Sequence, residues 1–172
     1  SKKYDFVNAK NIGGIGIWAL GYDDGYNELW GALRDKITIK SSPSIPANYF
    51  VESLGGGMVS VNFSNDENAI EYEVVEIISD STQGRIVGKF LKSPILIQGL
   101  KDNTPYFYKV RASNQFGFSE FTELLGSTPS PANSKVLIVN GFDRVTGTTN
   151  TFDFILEHGN AIYINGYSFD GA

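Results

Sequence analysis

Hydrophobic and polar residues alternate along the stretch from Leu100 to Ser119, and this alternation is the clearest pattern in the chain. The positions that share one face are Tyr106, Tyr108, Val110 and Ala112. A period of two predicts a β-strand that turns one face toward a core. Polar and proline-containing segments predict a turn before the strand and another after it. The stretch therefore predicts one central strand of a β-rich domain.

Six more short segments between residues 43 and 128 have apolar residues at alternate positions or lie between turn residues. We predict strands at 48–53, 58–63, 69–78, 85–90, 94–98 and 121–125. The residues expected to face the core are Tyr49, Val51, Val59, Val61, Phe63, Ile70, Tyr72, Val74, Ile95 and Ile97. Seven short strands separated by turns favour a mainly β fold, an immunoglobulin-like β-sandwich that spans 43–128.

The residues around the central strand carry a family resemblance. Leu100 precedes the bend, Tyr106 opens the strand, and Asn114 and Gly117 lie in the turn that follows it. This arrangement resembles the fibronectin type III domains. The resemblance implies a structural role for Leu100, Tyr106 and Asn114, with the Tyr106 hydroxyl bonded to a backbone group a few residues upstream. Phe63 stands where the family has a tryptophan.

The first flank, residues 1–40, has a different pattern. A loosely helical start leads to an apolar run at 15–20 that does not alternate, which is typical of a strand buried on both faces. An amphipathic helix is predicted around Leu29 to Ile37. The sequence GGIGIWALGYDDGYNELWGALRDKI resembles the last strand and helix of the family 18 glycoside hydrolases, which are chitinase-like (β/α)8 barrels. One strand and one or two helices cannot close a barrel. We therefore expect this flank to be ordered by packing against the middle domain or against another chain.

The barrel resemblance implies that Trp18 forms the floor of a sugar-binding subsite, because an indole face packs on a pyranose ring. The alternative is that Trp18 is a core aromatic or packs against the next domain. The family's acidic motif, DxxDxDxE, is absent from the sequence. Without it no general acid is expected to protonate a glycosidic oxygen, so no catalytic residue is predicted.

The second flank, residues 135–172, follows a linker at 129–134 and reads as strand, loop, helix and strand. The apolar run at 135–140 predicts a strand buried on both faces, and 151–165 predicts a helix that stops at Asn165-Gly166. This order favours the start of a doubly wound α/β domain. It resembles, more faintly, the α/β region of bacterial xanthan lyases and amidases.

Asp143 and Arg144 follow the first strand of this flank, at the end where ligands bind in open α/β sheets. The alternative is a salt-bridged pair in the loop. No GxGxxG follows the strand, so a dinucleotide cofactor is not supported. His158 is expected to lie on the helix surface or to pack rather than to act in catalysis.

Composition narrows the functional classes. The chain has 172 residues, a net charge of −5, no cysteine and one histidine. No basic cluster supports nucleic-acid binding, and neither a disulfide framework nor a multi-histidine metal site is available. No apolar run reaches the length of a transmembrane helix. We predict no cofactor and no metal.

Two surface clusters leave alternatives open. The aromatic residues Tyr22, Tyr26, Tyr49, Phe50 and Phe107 either form an exposed strip for glycan stacking or, as we favour, serve as core and interdomain contacts. The acidic residues Glu71, Glu73 and Glu76 favour a solvated acidic face over a calcium site. The sequon that begins at Asn62 lies on a predicted strand and is treated as incidental.

The expected function is that of a non-catalytic spacer or interaction module. Its two α/β flanks are incomplete, which favours an internal fragment of a multidomain, secreted or surface-anchored bacterial protein that acts on carbohydrate or cell wall. Expected partners are the other domains of that protein and a polysaccharide such as chitin or a cell-wall glycan. The alternatives are a glycan-binding module, or part of a polysaccharide lyase or amidase whose catalytic unit is the C-terminal α/β domain. Whether the parent is an enzyme stays open.

Overall fold

The computed structural model describes residues 2–10, 12, 15–16, 28, 30–31, 33, 41–78, 84–131, 136–141 and 154–172. The chain divides into two compact units, Ser1–Ser41 and Ser42–Ala172. In the first unit, helix α1 spans Lys2–Ala9 and buries none of its residues. The helix predicted at the start of the chain is confirmed. The strand predicted at 15–20 lies mostly outside the described residues.

The second unit contains ten strands and one helix among the residues that the structure describes. The strands are β1 Phe50–Gly55, β2 Met58–Asn62, β3 Glu71–Ile77, β4 Gly84–Phe90, β5 Ile95–Ile97, β6 Tyr106–Asn114, β7 Gly117–Phe118, β8 Leu125–Ser127, β9 Val136–Ile138 and β10 Phe169–Gly171. The helix is α2, Ile155–Ile164. One sheet has the order β5-β2-β1-β10-β9, and the other has β4-β3-β6-β7 with β8 also paired to β6. Six of the seven predicted strands of the sandwich are confirmed, and the short strands β7 and β8 stand where the seventh was predicted.

The fold is an immunoglobulin-like β-sandwich, because strands β1 to β8 form two sheets that enclose one core. The fully buried residues at its centre are Val51, Val59, Val61, Val74, Tyr108, Val110 and Ala112. Each of them was expected to face the core from its place in an alternating pattern. Alternation placed these side chains correctly because both sheets present one face to the other.

Ile70 corrects the prediction for the third strand. Its side chain is 59% exposed, whereas Tyr72 and Val74 are buried as expected. The strand begins at Glu71, and the Ile70 N–H donates to the Ser113 carbonyl at 2.8 Å before regular pairing starts. Ile70 therefore fits the alternating pattern of the sequence, but it lies just before the strand begins and its side chain does not face the core.

The final strand of the sandwich also differs from the prediction at 121–125. The N–H groups of Val110 and Ala112 donate to the hydroxyls of Thr122 and Ser119, at 3.0 and 2.9 Å, in place of backbone carbonyls. Side-chain acceptors interrupt the regular ladder between β7 and β8. Regular pairing with β6 resumes only at Leu125.

The C-terminal segment extends the first sheet of the sandwich. β9 and β10 are parallel and joined through α2, and β10 lies antiparallel to β1 with Gly171 opposite Val51. The predicted order of strand, helix and strand is confirmed. The strand predicted at 135–140 is not buried on both faces, because Leu137 and Val139 are 61% and 68% exposed. β9 is the outermost strand, and α2 packs on only one of its faces.

The end of α2 shows why Asn165-Gly166 stops the helix. Gly166 has φ +80°, a left-handed conformation that glycine adopts without a Cβ penalty. Its N–H donates to the Tyr163 carbonyl, and the Tyr167 N–H donates to the Ile162 carbonyl. This pair of hydrogen bonds is a Schellman motif, which satisfies carbonyls that the helix leaves free.

The hydrophobic core of the sandwich continues to α2 through Phe107, Phe169 and Ile155. Phe107 alternates with Tyr108 along β6, yet it is 2% exposed, with Phe169 and Gly159 packed against it. The rings of Phe107 and Phe169 are 6.0 Å apart between centroids. A Cβ added to Gly159 would lie 2.6 Å from the Phe169 ring and 3.0 Å from the Phe107 ring. Glycine within the helix therefore allows the close approach of α2 to both rings.

Candidate functional site

The predicted ligand-binding residues Trp18, Asp143 and Arg144 lie outside the described residues. Their roles stay predictions. The predicted structural residues Leu100, Tyr106 and Asn114 are described, and each makes hydrogen bonds in a turn of the sandwich.

A corner of hydrogen bonds surrounds Tyr106. Its hydroxyl oxygen accepts from the Lys101 N–H at 3.0 Å, five residues upstream, as expected for a tyrosine corner. The Leu100 N–H donates to the Gly57 carbonyl at 3.0 Å, and the Gly57 N–H donates to Asp102 Oδ1 at 2.8 Å. The corner therefore ties the turn between β1 and β2 to the loop before β6.

Asn114 stabilises the turn after β6. Its Oδ1 accepts from the Phe116 N–H at 2.8 Å, and its Nδ2 donates to the Asn68 carbonyl at 3.1 Å. An asparagine side chain that bonds the backbone two residues later is a common device of tight turns.

The prediction of a solvated acidic face at Glu71, Glu73 and Glu76 is wrong. Glu73 and Glu76 are buried, and every one of the three carboxylates has a cationic partner. The pairs are Glu71 with Lys89, Glu73 with Arg111 and Glu76 with Arg85. Register explains the result, because Arg111 and Lys89 both lie opposite Glu73 on neighbouring strands, while Arg85 lies opposite Glu76. Cross-strand cations neutralise an acidic pattern that one strand alone presents.

The Glu73–Arg111 pair is extended by two aromatic rings. The Arg111 guanidinium lies 4.1 Å from the centroid of Phe118 and 4.7 Å from that of Phe121. A planar cation stacks favourably on aromatic faces while it keeps its hydrogen bonds to a carboxylate. These rings are therefore already engaged by a cation within the protein.

Tyr49 and Phe107 do not contribute to an exposed aromatic strip, the alternative that the sequence analysis disfavoured. Tyr49 and Phe107 are buried, which agrees with the favoured reading of core contacts, and Phe50 is exposed. The Tyr49 hydroxyl donates to the Tyr108 carbonyl at 2.7 Å inside the core, and burial raises the pKa of Tyr49 well above its usual value. The positions of Tyr22 and Tyr26 lie outside the described residues.

A cavity of about 300 Å³ lies where β9 ends, beside the first turn of α2. We call it the β9 cavity, and its lining includes Ile138, Asn140, Gly141, Phe154 and His158. The sequence placed Asp143 and Arg144 after this same strand end. Asn140 Nδ2 donates to Glu123 Oε2 at 2.7 Å, which anchors the rim of the cavity to the sandwich.

Glu123 gives a pH-dependent prediction. Burial raises the pKa of its carboxyl, and the Asn140 hydrogen bond opposes this only in part. The folded state therefore holds a proton more tightly than the unfolded state, so stability falls as pH rises from the ordinary carboxyl range through the raised pKa. Glu123→Gln keeps an acceptor for Asn140 but carries no charge. We expect its stability to match the parent chain at acidic pH and to exceed it at neutral pH.

Thermal melting of the parent chain and of Glu123→Gln at a series of pH values checks this expectation. Glu120→Gln is the matched control, because Glu120 lies in the same loop and is exposed. A difference between Glu123→Gln and the parent that does not change with pH would contradict the assigned role of burial.

A second depression, of about 340 Å³, lies between the ends of β3 and β6 and one side of α2. We call it the Tyr163 groove. Its polar lining residues are Glu76, Thr104, Tyr106, Asn160 and Tyr163. They come from three separate regions of the chain, and of the five only Glu76 and Tyr106 were singled out from the sequence.

Within the described ranges, no group of three or more His, Asp or Glu side chains is placed to hold a metal ion. Among the same residues, no helix is both long and apolar enough to cross a membrane. The carboxylates of Glu71, Glu73 and Glu76 are engaged in ion pairs, and those of Asp66 and Asp102 accept hydrogen bonds from turn backbone.

Comparisons with known proteins place solved fibronectin type III structures beside this chain. No protein-family model matches the sequence. The crystal structure of FN3tt is 24% identical with a TM-score of 0.49, covering 54% of this chain and 100% of its own. The fibronectin type III domain of human fibronectin type III domain containing protein 3 is 25% identical, with a TM-score of 0.46. The match covers 54% of this chain and 91% of that domain. The chicken CNTN1 FN1–FN3 domains are 18% identical with a TM-score of 0.45, covering 52% and 31%.

The likeness to chitinase-like barrels and to xanthan lyases or amidases stays a prediction for the two flanks. By the strand order of its two sheets, the chain holds an immunoglobulin-like β-sandwich, and the hydrogen bond of its tyrosine corner is similar to that expected of fibronectin type III domains.

Proposed function

We propose that the Ser42–Ala172 unit is a rigid, non-catalytic spacer from a multidomain bacterial extracellular protein that acts on carbohydrate or cell wall. The observation that carries this proposal is the continuous sheet β5-β2-β1-β10-β9, in which the sandwich and the C-terminal segment share backbone pairing. A spacer with a defined geometry needs such pairing, because a flexible linker leaves the orientation of its neighbours undetermined.

Side-chain contacts support the same proposal. The Asp170 carboxylate in β10 accepts from the Ser53 N–H of β1 at 2.7 Å and from the Ser127 hydroxyl of β8 at 2.8 Å. One carboxylate thus joins three strands. Charge-assisted hydrogen bonds of this kind are stronger than neutral ones and strongly directional.

The linker predicted at 129–134 adds further support where it is described. Pro129 and Ser130 are buried. The Pro129 carbonyl accepts from the Asn103 N–H at 2.7 Å, and the Ser130 N–H donates to Ser53 Oγ at 3.1 Å. A segment with the composition of a flexible linker is therefore held against the sandwich at its start.

Relaxation of backbone ¹⁵N nuclei in the full chain tests the rigid spacer. We expect amides of β3, β6, α2 and β10 to report one rotational correlation time and order parameters near 0.85, the value of rigid backbone. Order parameters below about 0.6 across α2 and β10 would contradict the proposal. Hydrolysis of a chitooligosaccharide by the chain that persists in Trp18→Ala would overturn its non-catalytic part, whereas Trp18-dependent hydrolysis would assign activity to the Ser1–Ser41 unit.

A further inference from the structure

The Tyr163 groove contains hydrogen-bonding side chains that the protein itself does not use. Thr104, Asn160 and Tyr163 make no side-chain hydrogen bond to any residue within the described ranges. Tyr106 accepts one bond from Lys101 and still has its own hydroxyl hydrogen to donate. Polar groups that converge on one depression without partners indicate a place for a polar ligand.

The charge of the groove narrows the class of ligand. Glu76 is the charged residue of its described lining, and its carboxylate is paired with Arg85. Because the pair has no net charge, it gives an anionic ligand no favourable partner in the groove. Since Arg85 already neutralises Glu76, a cationic ligand gains little. The remaining polar groups are hydroxyls and an amide, which suit an uncharged ligand with both donors and acceptors.

The apolar part of the groove narrows the class further. The Tyr163 ring is 42% exposed and stands beside Pro105, Ile77 and Ile78 in the lining. A sugar ring has hydroxyls at its edge and an apolar C–H face, and aromatic rings pack on such faces. A peptide that adds as a strand is less suitable, because β3 and β6 are paired on both sides and present no open strand edge to the groove.

We propose that the Tyr163 groove binds a neutral mono- or disaccharide. The Tyr163 ring packs on the face of a pyranose, and the side chains of Thr104, Asn160 and Tyr106 bond its hydroxyls. The volume of about 340 Å³ is at the small end of ligand pockets, which span about 300–1,000 Å³, so one or two rings fit. This site goes beyond the spacer role and does not depend on it.

Titration of the ¹⁵N-labelled full chain with cellobiose or N,N′-diacetylchitobiose tests the site. We expect saturable shifts of the Thr104, Asn160 and Tyr163 amides with a dissociation constant on the order of 1 mM. Glucuronate serves as the charged comparison, and we expect it to bind more weakly than either disaccharide. Absence of saturable shifts, or shifts confined to other surfaces, overturns the proposal, and tighter binding of glucuronate overturns the neutral class.

Two variants identify the groove as the binding surface. Tyr163→Ala and Asn160→Ala are each expected to weaken binding by about tenfold or more, a loss typical of one well-placed contact. Tyr167→Ala is the matched control, because Tyr167 is 55% exposed just beyond the same helix and does not line the groove. Equal loss in Tyr163→Ala and Tyr167→Ala overturns the proposal. Melting curves establish that each variant is folded, and Asn160→Ala provides a second test if Tyr163→Ala is not.

Discussion

Replacing Phe169 with alanine is expected to lower the free energy of unfolding of the Ser42–Ala172 unit by about 3–5 kcal/mol. Phe169 is fully buried, and its ring packs against Phe107 of β6 and against Gly159 of α2. Loss of the ring leaves a cavity at the junction of the sandwich and the C-terminal segment. Because the two parts share one sheet, we expect the sandwich and α2 to unfold in a single transition at lower denaturant concentration.

Urea denaturation followed by both tyrosine fluorescence and helical circular dichroism measures this effect. Leu137→Ala is the control, because Leu137 is an exposed apolar residue on the strand beside Phe169. We expect it to change the free energy of unfolding by less than about 0.5 kcal/mol. If Phe169→Ala removed the helical signal while the sandwich kept its midpoint, the shared core would be refuted.

Replacing Gly57 with alanine is expected to cost about 2–5 kcal/mol, the sum of two penalties. Gly57 has φ +68°, where an L-residue is strained. In addition, a Cβ at this position would lie 2.4 Å from the Leu100 carbonyl oxygen. Backbone cannot rotate aside as a flexible side chain does, so the turn and the tyrosine corner must separate.

Gly56→Ala measures the conformational strain alone, so its difference from Gly57→Ala gives the steric part of this prediction. Gly56 also has positive φ, at +57°, but an added Cβ would meet nothing within 4 Å. We expect Gly56→Ala to cost only about 1–2 kcal/mol, the strain of the left-handed conformation. Chemical denaturation of both variants gives the difference, and equal costs would show that contact with Leu100 contributes nothing.

Alternation along single strands predicted which residues form the core of the sandwich. It did not predict which residues bury the other face of β6. Tyr108 and Val110 were placed correctly because the core lies on the face that their period selects. Phe107 alternates with Tyr106 and Tyr108 along β6, yet it is also buried. Its burial depends on Gly159 and Phe169, which are far away in sequence. Local periodicity contains no information on such tertiary coverage.

The prediction of a solvated acidic face on β3 was wrong for a related reason. Their spacing was visible in the sequence, but their partners lie on β4 and β6 and are fixed by strand register. Register follows from packing and turn geometry together, so cross-strand pairs cannot be read from one strand. The Tyr163 groove could not be predicted from the sequence for the same reason. Thr104 and Asn160 come together only when α2 packs beside the sandwich.

The pairing of β10 with β1 also determines where the chain passes in and out of the sandwich. The two strands are antiparallel and place Gly171 opposite Val51, so the chain enters β1 and leaves β10 at the same end of the sheet. Segments attached at these two points start side by side rather than at opposite poles. Neighbouring termini are the geometry that tolerates circular permutation and insertion into a host loop. A spacer of this form therefore holds the segments attached to β1 and β10 side by side rather than in a linear string.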